Sequence, residues 1–162
     1  MNDLSQTHAQ VPAIKRIAAG QDQSGEFRGL GVSTVTFKVS SADSNGFFVL
    51  ENTFHAKGGP VRHLHHDQDE WFYCVEGEFV FEIGPERMTL SAGDSVFVPR
   101  KTPHVWAYVG DTTGRILVAF TPAGKMEAFF REQAKANAMP AQDPEFLSAY
   151  GMELLGPPLP IA

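Results

Sequence analysis

Short segments rich in β-branched and aromatic residues recur along most of the chain, and clusters of Gly, Pro, Asn and Asp separate them. The first segment reads GVSTVTFKVS over 31–40, and the second reads FFVLENTFH over 47–55. Seven more predicted strands follow, at 61–66, 71–75, 78–83, 87–90, 95–98, 104–109 and 115–121. Many short strands joined by tight turns are typical of an all-β sandwich or barrel.

The pattern changes after Pro122. The segment GKMEAFFREQAKAN over 124–137 is rich in helix formers with apolar residues at helical spacing, which predicts a helix packed on the outside of the barrel. Asp143 followed by Pro144 is typical of a helix start and predicts a second, short helix that ends near Gly151. An extended tail is predicted after it. The expected division is a flexible tail over 1–12, a barrel over 13–122, and a helical segment with its tail over 123–162.

Composition and charge narrow the classes of function. The 162 residues fit a single domain, and the net charge of −6 comes without a cluster of Lys and Arg. We therefore expect binding neither to nucleic acid nor to an anionic membrane. Cys74 is the one cysteine, so an intramolecular disulfide is impossible. No apolar run is long enough to span a bilayer and no secretory signal is evident, so we expect a cytoplasmic protein.

Three histidines and one glutamate form a candidate metal site. His63 and His65 alternate along one predicted strand and share a face, whereas His66 points the other way. Glu70 opens the next strand after a short polar bridge, and His104 begins a later strand. This nitrogen and oxygen donor set suits a transition metal better than Ca or Mg, so we expect one divalent ion of Fe, Mn, Ni, Co, Cu or Zn. Four protein ligands would leave positions open for a substrate.

Two longer segments resemble the paired motifs of the cupin family: GGPVRHLHHDQDEWFYCVEG over 58–77 and GDSVFVPRKTPHVWAY over 93–108. The positions in register are His63, His65, Glu70, Gly77, Gly93, Pro99 and His104. Lys101 replaces a motif glycine and Tyr108 replaces an asparagine, but no ligand position is lost. The resemblance implies a jelly-roll barrel (double-stranded β-helix) of two antiparallel sheets, a metal in its wider mouth, and a homodimer.

Within that family, HLHHDQDEWFYCVEGEFVFEIG and TPAGKMEAFFRE are similar to small single-domain cupins of the bacterial quercetin 2,3-dioxygenase type. This implies a metal-dependent dioxygenase acting on a small aromatic or enolic substrate. Glu70 would be either the fourth ligand or a catalytic base that takes the substrate proton. Candidates for the substrate-binding wall are Phe54, Phe72, Trp106 and Tyr108, although packing in the barrel core explains each of them equally well.

Because one fold hosts many activities, two other classes of function stay open. One is a metal-dependent isomerase or lyase, in which the metal polarises a carbonyl and no O₂ is consumed. The other is a non-enzymatic barrel that binds or senses a small molecule. His55, at the end of the second predicted strand, is a further residue that could reach the mouth of the barrel.

Overall fold

The described chain forms ten strands and three short helices, seen in a computed structural model that describes residues 13–162. The tail predicted over 1–12 lies outside the described residues. The strands are β1 Ser33–Val39, β2 Phe48–Phe54, β3 Val61–His65, β4 Asp69–Glu76, β5 Glu78–Ile83, β6 Glu86–Ser91, β7 Ser95–Val98, β8 His104–Tyr108, β9 Gly114–Thr121 and β10 Met152–Pro158. The helices are α1 Ser41–Ser44, α2 Met126–Ala134 and α3 Pro144–Ala149.

The strands divide into two antiparallel sheets of five, in the orders β1-β2-β9-β4-β7 and β10-β3-β8-β5-β6. Their inner faces share one core that is dominated by phenylalanine, with Phe37 and Phe48 from the first sheet and Phe79 and Phe81 from the second. The all-β class and the paired antiparallel sheets predicted from the sequence are confirmed.

Alternation along each strand decides which side chains enter the core. In β4, Glu70, Phe72 and Cys74 are buried, whereas Trp71 between them is 39% exposed on the outer face. The loop after β7 includes Lys101, which adopts a left-handed conformation with φ 65°. Its backbone N–H donates to the carbonyl of His65 at 2.6 Å and ties this loop to β3. Lysine thus takes the conformation for which the cupin motif uses glycine.

The C-terminal tail is where the strand prediction was incomplete, because β10 forms where we expected only an extended tail. Its sequence MELLGPP contains a glycine and two prolines, which disfavour a strand in the middle of a sheet. The structure places β10 at the edge of its sheet beside β3, and the pairing register shifts around Gly156. An edge position with an irregular register tolerates proline, since fewer backbone N–H groups are needed.

The two C-terminal helices pack on the barrel core through buried apolar side chains. Asp143 caps α3 by accepting hydrogen bonds from the backbone N–H groups of Glu145 and Phe146, as predicted. The helix expected over 124–137 forms as α2, and Met126 and Phe129 on its apolar side are buried in the main core. The apolar spacing identifies the buried face of a helix but does not specify its partner. No helix of the described residues is long and apolar enough to cross a membrane.

Candidate metal centre

The four predicted donors come together at one point inside the barrel. His63 and His65 lie on β3, Glu70 lies on β4 in the other sheet, and His104 lies on β8 directly opposite His63. One ligand atom from each residue lies within 4.8 Å of those of the other three, and all four side chains are buried. His63 and His65 therefore share one face of β3, as the alternation along the strand predicted.

The spacing of the donor atoms fits a single ion. Nε2 of His104 lies 2.8 Å from Oε2 of Glu70, and Nε2 of His65 lies 3.1 Å from the same oxygen. Nε2 of His63 lies 3.2 Å from Nε2 of His65. Two ligands at about 2.1 Å from one metal are about 3 Å apart at right angles and about 4.2 Å apart when opposite. Although close, the Glu70 and His104 atoms are not aligned for a hydrogen bond between them.

Backbone carbonyls orient two of the imidazoles. Nδ1 of His63 lies 2.7 Å from the carbonyl oxygen of Val61, and Nδ1 of His104 lies 2.9 Å from that of Thr102. A carbonyl only accepts, so each Nδ1 carries the proton and donates. In the neutral ring Nε2 then has a free lone pair, and in both residues this atom faces the other donors. Such outer hydrogen bonds are typical of histidine ligands.

Burial and charge set the protonation of the cluster. Burial, reinforced by the neighbouring His104 and His65, lowers the pKa of His63 to about 3, so its imidazole is neutral. Burial by itself raises the pKa of Glu70, but His65 and His104 outweigh it and hold that pKa well below its usual range. Burial also lowers the pKa of His104, whereas the Glu70 carboxylate raises it above the ordinary value. The cluster is thus an anionic carboxylate among imidazoles, a set that attracts a cation.

The donor cluster opens into a cavity of about 70 Å³ whose walls are mostly apolar. Phe54, Phe72 and Trp106 line it, and their role in binding a substrate stays a prediction. Tyr108 is fully buried beside the cavity and is not part of the lining that the described residues form. Its hydroxyl accepts a hydrogen bond from the backbone N–H of Thr112 at 3.2 Å, so Tyr108 packs as a core residue.

Much of the lining comes from the C-terminal segment, which the sequence analysis did not connect with the site. The lining residues from this segment are Met126, Phe129, Phe130, Met139, Pro140, Leu147 and Met152. Their apolar spacing predicted the helices but did not indicate that these residues line the cavity. Asn52 also lines the cavity and was missed. Its signal was one polar residue in the inward row of β2, where the other members are apolar.

The two remaining histidines of the central segment lie outside the cluster. His66 is exposed, and its Nε2 lies 3.4 Å from Glu153 on the outer side of the sheet. His55 is also exposed, just after the end of β2. The prediction that His66 points away from the other donors agrees with this arrangement, whereas His55 does not reach them.

Comparison with known proteins identifies the family to which this part of the chain is similar. Residues 50–120 match the family described as Cupin domain. Quercetin 2,3-dioxygenase of Bacillus subtilis is 30% identical over 112 residues, which are 67% of this chain and 33% of that protein. An uncharacterised protein of Methanocaldococcus jannaschii is 30% identical over 60 residues, which are 37% of this chain and 48% of that protein. The chain thus spans a third and about half of the length of these two relatives.

Solved structures share the fold at low identity. KdgF from Halomonas sp. aligns with TM-score 0.57 and 18% identity over 67% of this chain and 94% of its own. An RmlC-like cupin from Shewanella frigidimarina aligns with TM-score 0.55 and 24% identity over 72% of this chain and 99% of its own. The polyketide cyclase RemF from Streptomyces resistomycificus aligns with TM-score 0.56 and 21% identity over 68% of this chain and 80% of its own.

The chain belongs to the cupin superfamily. All four candidate ligands lie inside the part that matches the cupin domain, whereas α2, α3 and β10 follow it in the sequence. This cupin therefore builds its donor cluster from the shared barrel and covers that cluster with a segment outside the matched region.

Proposed function

We propose that this cupin is a metal-dependent oxygenase, a dioxygenase that acts on a small aromatic or enolic substrate. The observation that carries the proposal is the buried set of three imidazoles and one carboxylate that opens into an apolar, aromatic-walled cavity. The 30% identity with a quercetin 2,3-dioxygenase supports the same reaction class. A divalent transition metal bound there would supply Lewis acidity toward an enolic oxygen and one-electron chemistry with O₂.

The residues of the chain would bind the substrate and manage its proton. Phe54, Phe72 and Trp106 present ring surfaces that favour a planar, apolar substrate and exclude water. Glu70 is a carboxylate at the edge of the cavity, so its Oε2 can accept the proton of an enol. Nε2 of His104 lies 2.8 Å from that oxygen, so a metal bound by both residues would hold the carboxylate in place.

The size of the cavity supports a small substrate. One water molecule needs roughly 10–15 Å³ of such volume, so about 70 Å³ corresponds to about five to seven water-sized groups. A single substituted ring fits this space far better than a three-ring flavonol. Met126, Met139 and Met152 in the lining have flexible side chains that can adjust to a ring of this size.

Oxygen consumption tests the proposal directly. The purified protein is loaded separately with Fe, Mn, Ni, Co, Cu or Zn and offered a panel of small enolic and catecholic compounds in an oxygen electrode. We expect uptake of O₂ with at least one metal, and none with His63→Ala, which removes a proposed ligand. Turnover that continues without O₂ would favour an isomerase or lyase. Metal and ligand binding without any turnover would favour a binding or sensor protein.

A further inference from the structure

Asn52 is a polar residue in an apolar part of the cavity wall. It lies on the inward row of β2 between Leu50 and Phe54, and the residue is only 6% exposed. In the pairing register, Val35 of β1 stands on one side of it and Ile116 of β9 on the other. All four neighbours are buried and apolar, so nothing in the local strand pattern requires an amide at this position.

The oxygen of the Asn52 carboxamide is also unpaired within the described residues. This atom, Oδ1, is buried and has no hydrogen-bond partner among residues 13–162. A buried polar atom without a partner is destabilising, and most such atoms in folded proteins are paired. Leucine has a similar size and would fill the same position without that cost. An amide that faces a cavity beside a donor cluster is explained if a ligand supplies the missing hydrogen bond.

We propose that Asn52 is a substrate-binding residue whose Oδ1 accepts a hydrogen bond from a second polar group of the substrate. The first polar group is the enolic oxygen that meets the cluster of His63, His65, Glu70 and His104, so the inference rests on the proposed function. The substrate is then a small enolic or aromatic molecule with a hydroxyl or N–H elsewhere on its ring or on a short substituent. The apolar rest of the cavity would contact its carbon skeleton.

Matched ligand pairs test this inference by binding and not by turnover. Allomaltol and kojic acid differ by one hydroxyl on a methyl group, and catechol and pyrogallol differ by one ring hydroxyl. Their affinities are measured by calorimetry under argon for the zinc-loaded full chain and for Asn52→Leu. For at least one pair, we expect the member with the extra hydroxyl to bind wild-type protein about tenfold more tightly, as one hydrogen bond allows. In Asn52→Leu that ratio should fall to about one.

A matched control residue lies next to Asn52 on β2. Thr53 points to the outer face of β2, so Thr53→Val should leave both affinity ratios unchanged. In metal-free protein, Asn52→Leu should melt at the same temperature as wild type or higher, because Oδ1 of Asn52 is buried without a hydrogen bond to the described chain. An Asn52→Leu protein that folds but melts at a lower temperature would identify Asn52 as a structural residue and overturn the inference. Asn52→Ala repeats the ratio test if the leucine variant does not fold.

The outcomes separate this inference from the proposed function. Probes that bind with ratios unaffected by Asn52→Leu, or that show no preference for the extra hydroxyl in either pair, overturn the role of Asn52 alone. Failure of all four probes to bind the loaded protein overturns both, because the enolic substrate class then fails. Loss of O₂ uptake with normal binding ratios contradicts only the oxygenase reaction.

Discussion

One backbone carbonyl orients the imidazole of His63, and another orients that of His104. Val61 and Thr102 each accept the Nδ1 proton of the histidine two residues later, and each acceptor lies at or just before the start of the strand that carries its histidine. This local geometry turns Nε2 of His63 and His104 toward Glu70. Metal affinity should therefore depend on side chains of this cluster and be insensitive to histidines on the outer face.

The first prediction concerns the metal content of histidine variants. Replacing His63 or His65 by alanine removes a donor atom and leaves the anionic Glu70 short of a partner, so bound metal should fall by at least about tenfold. His66→Ala is the matched control, because His66 lies on the same segment but is exposed and faces Glu153. Elemental analysis of purified protein measures the outcome. Equal losses in all three variants would mean that His66 is a ligand.

A buried ion pair far from the metal site gives a second prediction. Asp22 and Arg28 form a salt bridge with side chains only 2% and 3% exposed, and Arg28 lies over the ring of Phe37 at 3.7 Å. Burial by itself raises the pKa of Asp22, but hydrogen bonds from Phe37 and Ser24 and the charge of Arg28 outweigh it and lower the pKa. Asp22→Asn removes the buried charge and leaves Arg28 with Glu26, whose side chain is 53% exposed, as its remaining carboxylate partner. We expect a loss of about 3 kcal/mol in the free energy of unfolding at neutral pH.

The pH dependence of that loss has a definite sign. The folded pKa of Asp22 is below the unfolded value of about 3.9, so its stabilisation is complete above that value and disappears as the pH falls through the folded pKa. The difference between wild type and Asp22→Asn should therefore shrink in urea titrations below about pH 4. Asp43→Asn, which breaks the exposed pair with Lys15, should cost below about 1 kcal/mol at any pH.

Strands and helices were predicted with uneven success. The reason is that some of them are indicated by local sequence patterns, whereas others depend on partners that are distant in the sequence. The nine strands before Pro122 are indicated by β-branched and aromatic residues and by the turn residues between them, which are local signals, and each was predicted within two residues of its observed ends. β10 pairs with β3 far back in the sequence, and its glycine and prolines conceal that pairing. The helices α2 and α3 were predicted, but their position over the cavity was not.

The third prediction tests the packing of the C-terminal helices on the barrel. Phe129 of α2 is 5% exposed, lines the cavity and contacts the rings of Phe130, Phe146 and Tyr150. Phe129→Ala should lower the free energy of unfolding by about 3–5 kcal/mol, because it leaves a void in the core. The same substitution at Phe27, which is 80% exposed, should change stability by less than about 0.5 kcal/mol. Similar values for both variants would show that α2 does not pack on the barrel in solution.

At the scale of the molecule, the donor cluster joins the two sheets. His63, His65 and His104 belong to one sheet and Glu70 to the other, so an ion bound by all four would cross-link them. A ligand that binds only the folded chain stabilises it by an amount that rises with the logarithm of the ligand concentration. The homodimer implied by the cupin resemblance stays a prediction, and light scattering on the full chain tests it.

The fourth prediction is therefore that metal raises global stability. At a metal concentration a hundredfold above Kd, the free energy of unfolding should rise by about 2.7 kcal/mol, and a chelator should reverse the change. Calorimetric melts of chelator-treated and reloaded protein measure it. His66→Ala should respond as wild type does, whereas His65→Ala should show almost no metal-dependent shift. A shift that survives His65→Ala would place the ion elsewhere.

The sequence by itself determined the strand pattern of the barrel and the four donors, including the shared face of His63 and His65. These features follow from local periodicity and from ligand spacing within two short motifs. Only the tertiary structure decided that α2 and α3 line the cavity, that Tyr108 is core, and that Asn52 lines the wall with an unpaired amide oxygen. Each of these depends on which surfaces meet across the barrel, and periodicity reports that a face is buried without specifying what covers it.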